Sequence, residues 1–80
     1  MKNIVILGST GSIGESVLKI VRKDKDINIQ LLSANNNIKK LLKQAMEFEV
    51  KDAIIENQHQ YRKYLKVFKK NKVNLHLNIK

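Results

Sequence analysis

Gly8-Ser9-Thr10-Gly11-Ser12-Ile13-Gly14 follows directly on an aliphatic run, Asn3-Ile4-Val5-Ile6-Leu7, and holds all three glycines of the 80-residue chain. A β-branched run stopped by glycine reads as a strand. The apolar period beyond the glycines is helical, so the segment joins strand to helix through a loop. Each glycine has a physical job in such a junction. Gly8 lets the chain leave the strand in a tight turn. Gly11 has no Cβ, so a pyrophosphate can come close to the backbone, and Gly14 lets the helix pack tightly against the sheet. Amides from Thr10 to Ile13, with the positive end of the helix dipole, would form an anion site, and Ser9, Thr10 and Ser12 would add hydroxyl donors. No Gly-Lys-Ser/Thr follows, which excludes a Walker-type phosphate loop here. A turn that merely joined strand to helix would not need three glycines at three-residue spacing.

The period then alternates along the chain. Ile13, Val17, Ile20 and Val21 recur as the stripe of an amphipathic helix, and Asn28 to Ser33 reads as a second strand. Asn36 or Asn37 can cap a second helix, whose stripe is Ile38, Leu41, Leu42, Ala45 and Met46. Ala53-Ile54-Ile55 is a short third strand. A third helix sets Tyr61, Tyr64, Leu65 and Phe68 against Arg62, Lys63, Lys66, Lys69 and Lys70 on its other face. From Val73 to Lys80 apolar and polar residues alternate, as in a strand with one wet face. The order β-α-β-α-β-α-β gives an α/β fold, a partial Rossmann-like (doubly wound) parallel sheet. With no proline and no linker, residues 1–80 read as the N-terminal part of one NAD(P)-binding domain. The chain stops on a strand, so it is expected to be a fragment lacking catalytic and C-terminal domains.

At the end of the second strand, dinucleotide-binding folds meet the adenosine ribose, and an Asp or Glu there selects NAD. Here the residues are Ser33-Ala34-Asn35-Asn36-Asn37, followed by Lys39-Lys40. Neutral amides and nearby cations suit a 2′-phosphate better, which favours NADP. The alternative is that the asparagines serve only as turn and helix cap.

The net charge is +9, and Tyr61 to Lys80 supply +7 of it through seven basic residues and no acid. A phosphate-bearing ligand, nucleic acid or an acidic partner would suit such a surface, as would plain compositional bias in a Lys-, Asn- and Ile-rich chain. No apolar run reaches the ~20 residues of a membrane span, so no membrane partner is expected. The absence of cysteine removes disulfides and thiolate chemistry. One lysine before the first apolar run makes no secretory signal, so the chain is expected to start inside its fold, in the cytoplasm or in a plastid-type organelle after loss of a transit peptide.

The run Ile6-Leu7-Gly8-Ser9-Thr10-Gly11-Ser12-Ile13-Gly14 resembles the amino-terminal signature of the 1-deoxy-D-xylulose 5-phosphate reductoisomerases. The similarity continues through Glu15–Arg22 and through Gln44-Ala45-Met46-Glu47-Phe48, weakening beyond Ile55. The resemblance implies an NADPH-dependent oxidoreductase and isomerase of the non-mevalonate route to isoprenoid precursors. Such an enzyme rearranges a sugar phosphate and reduces the product to 2-C-methyl-D-erythritol 4-phosphate, as a homodimer with Mg²⁺ or Mn²⁺. It implies that Thr10, Gly11, Ser12 and Ile13 hold the NADPH pyrophosphate and that Asn35, Asn36 and Asn37 lie at the 2′-phosphate end. The family's turn usually reads Ala-Gly-Lys-Asn, and of its three contacting positions, matched by Asn35, Asn36 and Asn37, only the final asparagine is kept. Asparagine tolerates a left-handed turn, while the lost lysine would have to be replaced by Lys39 or Lys40.

The family's metal carboxylates and substrate-gripping residues lie later in its chain, so no catalytic and no metal residues are expected here. Asp24 and Asp26 fall at the strands' amino ends, Glu47 and Glu49 flank Phe48 near a helix end, and Glu56 reads as a helix-entry residue. His59 and His76 read as surface residues. Tyr61, Tyr64 and Phe68 read as core rather than as a base-stacking platform. Two alternatives stay open: the dinucleotide-binding segment of another reductase (a semialdehyde dehydrogenase or an extended short-chain reductase), and a basic module binding nucleic acid through the Arg62–Lys72 face.

Overall fold

In the computed structural model, which describes residues 1–78, four short strands form one sheet in the order β1-β2-β3-β4. The elements are β1 (Lys2–Ile6), α1 (Ser12–Lys23), β2 (Ile27–Ala34), α2 (Ile38–Glu47), β3 (Asp52–Ile55), α3 (Gln58–Lys70) and β4 (Asn74–Leu77). Every neighbouring pair is parallel. The expected β-α-β-α-β-α-β order and α/β class therefore hold. Ile79 and Lys80, included in the expected last strand, lie outside the described residues.

Strands added in sequence order by right-handed crossovers place every helix on the same face of the sheet. The burial pattern follows from that. Ile6, Ile29, Leu32, Ala34, Ala53, Ile55 and Leu75 point into one core with Leu18, Val21, Leu41, Ala45 and Phe68 from the helices. On the opposite face Asn3, Val5, Gln30, Asn74 and His76 are exposed. A register shift between Ile4 and Val5 pairs Val5 with Leu31 and skips Gln30, keeping the apolar residues of β2 in phase with those of β1.

Three expectations are corrected. A continuous apolar run such as Asn3–Leu7 is expected to be covered on both faces, as in a doubly wound parallel sheet, yet Val5 is 52% and Leu7 73% exposed, because helices cover only one side and β1 is an edge. The buried stripe of α1 is Gly14, Leu18 and Val21 rather than one through Ile13 and Ile20, since Gly14 must face the loop and Leu18 lies one turn on. In α2, Gln44 takes an inward place beside Ile38, Leu41 and Ala45, and Met46 turns outward. Phe68 is the single fully buried residue of α3; Tyr61 and Tyr64 pack against the core as expected.

Candidate functional site

Gly8 has φ +70°, a left-handed conformation that an L side chain rarely adopts, and it turns the chain out of β1. Two bonds anchor this turn to the end of β2: Gly8 N–H donates to Ser33 Oγ at 3.0 Å and Ser9 N–H to Ser33 O at 2.8 Å. Gly11 then caps α1 with extended backbone and no side-chain bond. The first helical bond is Glu15 N–H to Gly11 O at 2.9 Å. The amides of Ser12 and Ile13 precede it and meet no backbone acceptor among the described residues, the usual state of a helix's first turn.

Nothing plugs this mouth. Gly8, Gly11, Ser12 and Ile13 are exposed, and a Cβ at Gly11 would meet only Gly8 O at 3.5 Å. Space above Gly11 is therefore open to a ligand. Gly14 differs: it is buried, and a Cβ there would lie 2.5 Å from Gly8 O and from Ser9 Cα. Its smallness serves contact between helix and loop rather than the expected contact between helix and sheet. A pyrophosphate fits a mouth built from unpaired amides, a helix dipole and a glycine with free space above it.

Ser9 is corrected as a donor to a ligand. It is fully buried, and its hydroxyl donates inward to Gln44 Oε1 at 2.7 Å, with Ser33 O at 3.3 Å as the weaker neighbour. Thr10 is half-buried and Ser12 exposed, so these two remain as hydroxyls near the mouth. Gln44 also donates through Nε2 to Ser9 O at 3.0 Å and to Glu15 Oε1 at 2.9 Å. Lys40 Nζ stands 3.2 Å from Thr10 O and 3.4 Å from Glu15 Oε2. Sequence reasoning missed Gln44, Glu15, Lys40 and Ser33 as supports of the loop. A glutamine on the otherwise apolar stripe of α2 was the available signal.

At the carboxyl ends of the strands a cleft of about 410 Å³ is lined by Leu7, Gly8, Ser33, Asn35, Ile54, Glu56 and Asn78. Parallel sheets bind ligands along this edge. Asn35 thus faces the space beside the loop. Asn36 and Asn37 are exposed but committed: Asn36 Oδ1 accepts from Asn57 Nδ2 at 2.9 Å, and Asn37 caps α2 by accepting from Lys40 N–H at 3.3 Å. Cap and ligand-side readings of the three asparagines therefore divide between them. None of the three has positive φ, so the left-handed turn expected for asparagine is not used. Lys40 is occupied under the loop, whereas Lys39 is exposed in a groove that it shares with Lys43, Arg22 and Glu47.

The remaining candidates lie elsewhere. Asp24 and Asp26 sit at the amino ends of the strands, Asp26 3.7 Å from the N-terminal ammonium. Glu47 pairs with Arg22, whose guanidinium lies over the Phe48 ring at 5.3 Å. His59 is exposed, and His76 Nε2 stands 3.0 Å from Asp52 Oδ1 on the bare sheet face. Among the described residues no three His, Cys, Asp or Glu gather as a metal-binding group, and no helix is long and apolar enough to cross a membrane. The cations of α3 make no ion pair among the described residues.

The model of the 1-deoxy-D-xylulose 5-phosphate reductoisomerase family matches residues 4–79. A curated reductoisomerase of that name from Pelagibacter ubique is 46% identical over 79 residues, 98% of this chain and 20% of its own length. Another, from Porphyromonas gingivalis, is 46% identical over 61 residues, 75% of this chain and 16% of its own. A solved reductoisomerase of Zymomonas mobilis in complex with NADPH superposes with a TM-score of 0.87 at 28% identity, over 96% of this chain and 21% of that one. A second solved structure, a DOX-P reductoisomerase with NADPH, fosmidomycin and magnesium, gives 0.89 at 27% identity, over 98% and 20%. The chain thus spans about a fifth of the length of the relatives it matches.

Proposed function

This chain belongs to the 1-deoxy-D-xylulose 5-phosphate reductoisomerase family, and we propose that it is the NADPH-binding part of such an enzyme, not catalytic alone. The observation that carries this reading is the open mouth of α1, where the Ser12 and Ile13 amides have no backbone acceptor and Gly11 leaves room above them. The cofactor diphosphate sits over Gly11 to Ile13, with the Thr10 and Ser12 hydroxyls beside it. The adenosine end reaches along the strand edge to Asn35, with Asn36 and Asn37 shaping the turn from below and Lys39 as the cation within reach of a 2′-phosphate. Ser9 and Gly14 hold the loop's shape.

NADPH, when bound, supplies the hydride; every residue named here binds or orients it. The metal, sugar phosphate and homodimer belong to the whole enzyme, in which Mg²⁺ or Mn²⁺ is held outside this chain. We place the activity in the cytoplasm, or in a plastid-type organelle.

Titration of the 80-residue chain with NADPH, NADH and duplex DNA at two salt concentrations tests the reading. NADPH should bind, and Gly11→Val should abolish binding by filling the space above the mouth. Replacing Lys66, Lys69 and Lys70 by glutamate should leave NADPH affinity nearly unchanged. Tight DNA binding with a steep salt dependence, lost in the triple variant, would instead select the basic α3 face as the working surface.

A further inference from the structure

We propose that Gln44 is the positioning residue of the phosphate-binding loop, setting from α2 the direction in which the α1 amides point. This rests on the cofactor reading above. Gln44 is 4% exposed on the buried side of α2, where a leucine would fill the same space without a polar cost. A buried amide is tolerated only when its bonds are made, and this one makes all three to the loop and the start of α1. Its Oε1 accepts from Ser9 Oγ, one Nε2 proton goes to Ser9 O and the other to Glu15 Oε1.

These partners bracket the mouth. Ser9 precedes the segment Thr10–Ile13, exposed from Gly11 on, and Glu15 follows it, so one side chain fixes both ends of the ligand-facing backbone. The same contacts settle the Glu15 carboxylate, which would otherwise compete with an anionic ligand at the helix N-terminus. Its two oxygens are taken by Gln44 Nε2 and Lys40 Nζ, and Lys40 also reaches Thr10 O. A binding site of backbone amides must be held to within ~0.5 Å to recognise a diphosphate. Among the described residues no donor in the loop itself supplies that restraint on the Ser9 carbonyl.

Two variants of the 80-residue chain test the assignment, read by titration with NADP⁺ and by amide NMR. Gln44→Met keeps the volume and removes the bonds. It should bind NADP⁺ at least ~10-fold more weakly, with far-ultraviolet circular dichroism unchanged and amide shifts concentrated at residues 8–15. Gln44→Glu at pH 8 presents a carboxylate to Ser9 O and to Glu15, and should bind poorly. Glu15 and Arg22 of α1, and Lys39, Lys40, Lys43 and Glu47 of α2, are the titratable groups around it. Protonation on acidification, favoured by the burial of position 44, restores a donor to Ser9 O and should recover affinity that the parent chain does not gain.

Parent-like affinity in Gln44→Met, or a flat pH response in Gln44→Glu, overturns the assignment. If Gln44→Met does not fold, the pH series on Gln44→Glu decides alone. A parent chain that binds no NADP⁺ overturns the cofactor reading instead; displaced loop amides in Gln44→Met would then still support the positioning role, and unmoved ones would refute it.

Discussion

A Cβ placed on Gly14 would stand 2.5 Å from the carbonyl oxygen of Gly8, six residues back across the loop. Backbone cannot yield at that distance as a flexible side chain could. Gly14→Ala should therefore displace the loop or the first turn of α1 and cost ~1–3 kcal/mol, the usual range for overpacking. Gly11→Ala meets only an ordinary 3.5 Å contact and should fold with a cost of at most ~0.5 kcal/mol. Urea unfolding of the two variants measures the contrast; equal midpoints would refute this account of the glycines.

Phe68 is the fully buried residue of α3, a helix that packs on β3 and β4. Its truncation to alanine should cost ~3–5 kcal/mol. A domain of this size has a total stability of ~4–12 kcal/mol, so Phe68→Ala should lose much of its helical signal below body temperature. A thermal midpoint within a few degrees of the parent chain would show that α3 is held by something else.

Asn37 and Asn57 cap α2 and α3 by accepting from Lys40 N–H at 3.3 Å and Gln60 N–H at 2.9 Å. Alanine at either position should cost ~1 kcal/mol, the ordinary value of an N-cap. Asn57→Ala should cost more in addition, since Asn57 also donates to Asn36 Oδ1 and so ties the turn after β2 to the turn after β3. Hydrogen exchange should show the loss first at the amino-terminal amides of the affected helix. Uniform loosening of the whole sheet would contradict the assignment.

Arg22 holds the Glu47 carboxyl below the ordinary carboxylate range, chiefly through the paired hydrogen bonds between their side chains. Glu47 raises the Arg22 guanidinium above its usual value in the same way, outside any accessible pH. A carboxyl with a depressed folded-state pKa contributes stability above its unfolded value and loses it as pH falls through the folded one. The difference in unfolding free energy between the parent chain and Glu47→Gln should thus be constant at neutral pH and shrink below about pH 4.5, the unperturbed value. Both side chains are exposed, so the effect should be small and weaken with added salt. A difference that grew on acidification would have the wrong sign for this pair.

The order of elements, the parallel sheet and the glycine-lined opening of α1 could be read from local pattern alone. Glycine spacing and hydrophobic period are properties of short windows, and both act through the backbone. Side-chain assignment failed wherever a partner is distant in the chain. Ser9 looked like a ligand donor because its neighbours are Gly8 and Thr10; its hydroxyl is committed to Gln44, 35 residues away. Ile13 and Ile20 looked like core because the helical period admits them, yet Gly14 sets which side of α1 faces inward.

Local pattern along the chain sets where it turns, which segments are strands or helices, and that a helix opens on a glycine-rich loop. Those choices depend on backbone freedom and on apolar spacing within a few residues. Which hydroxyl is turned inward, which asparagine caps, which lines the cleft, and which sheet face the helices cover follow from the folded arrangement. Each of these depends on what a crossover brings alongside, and a side chain's bonding is settled by the neighbour that reaches it.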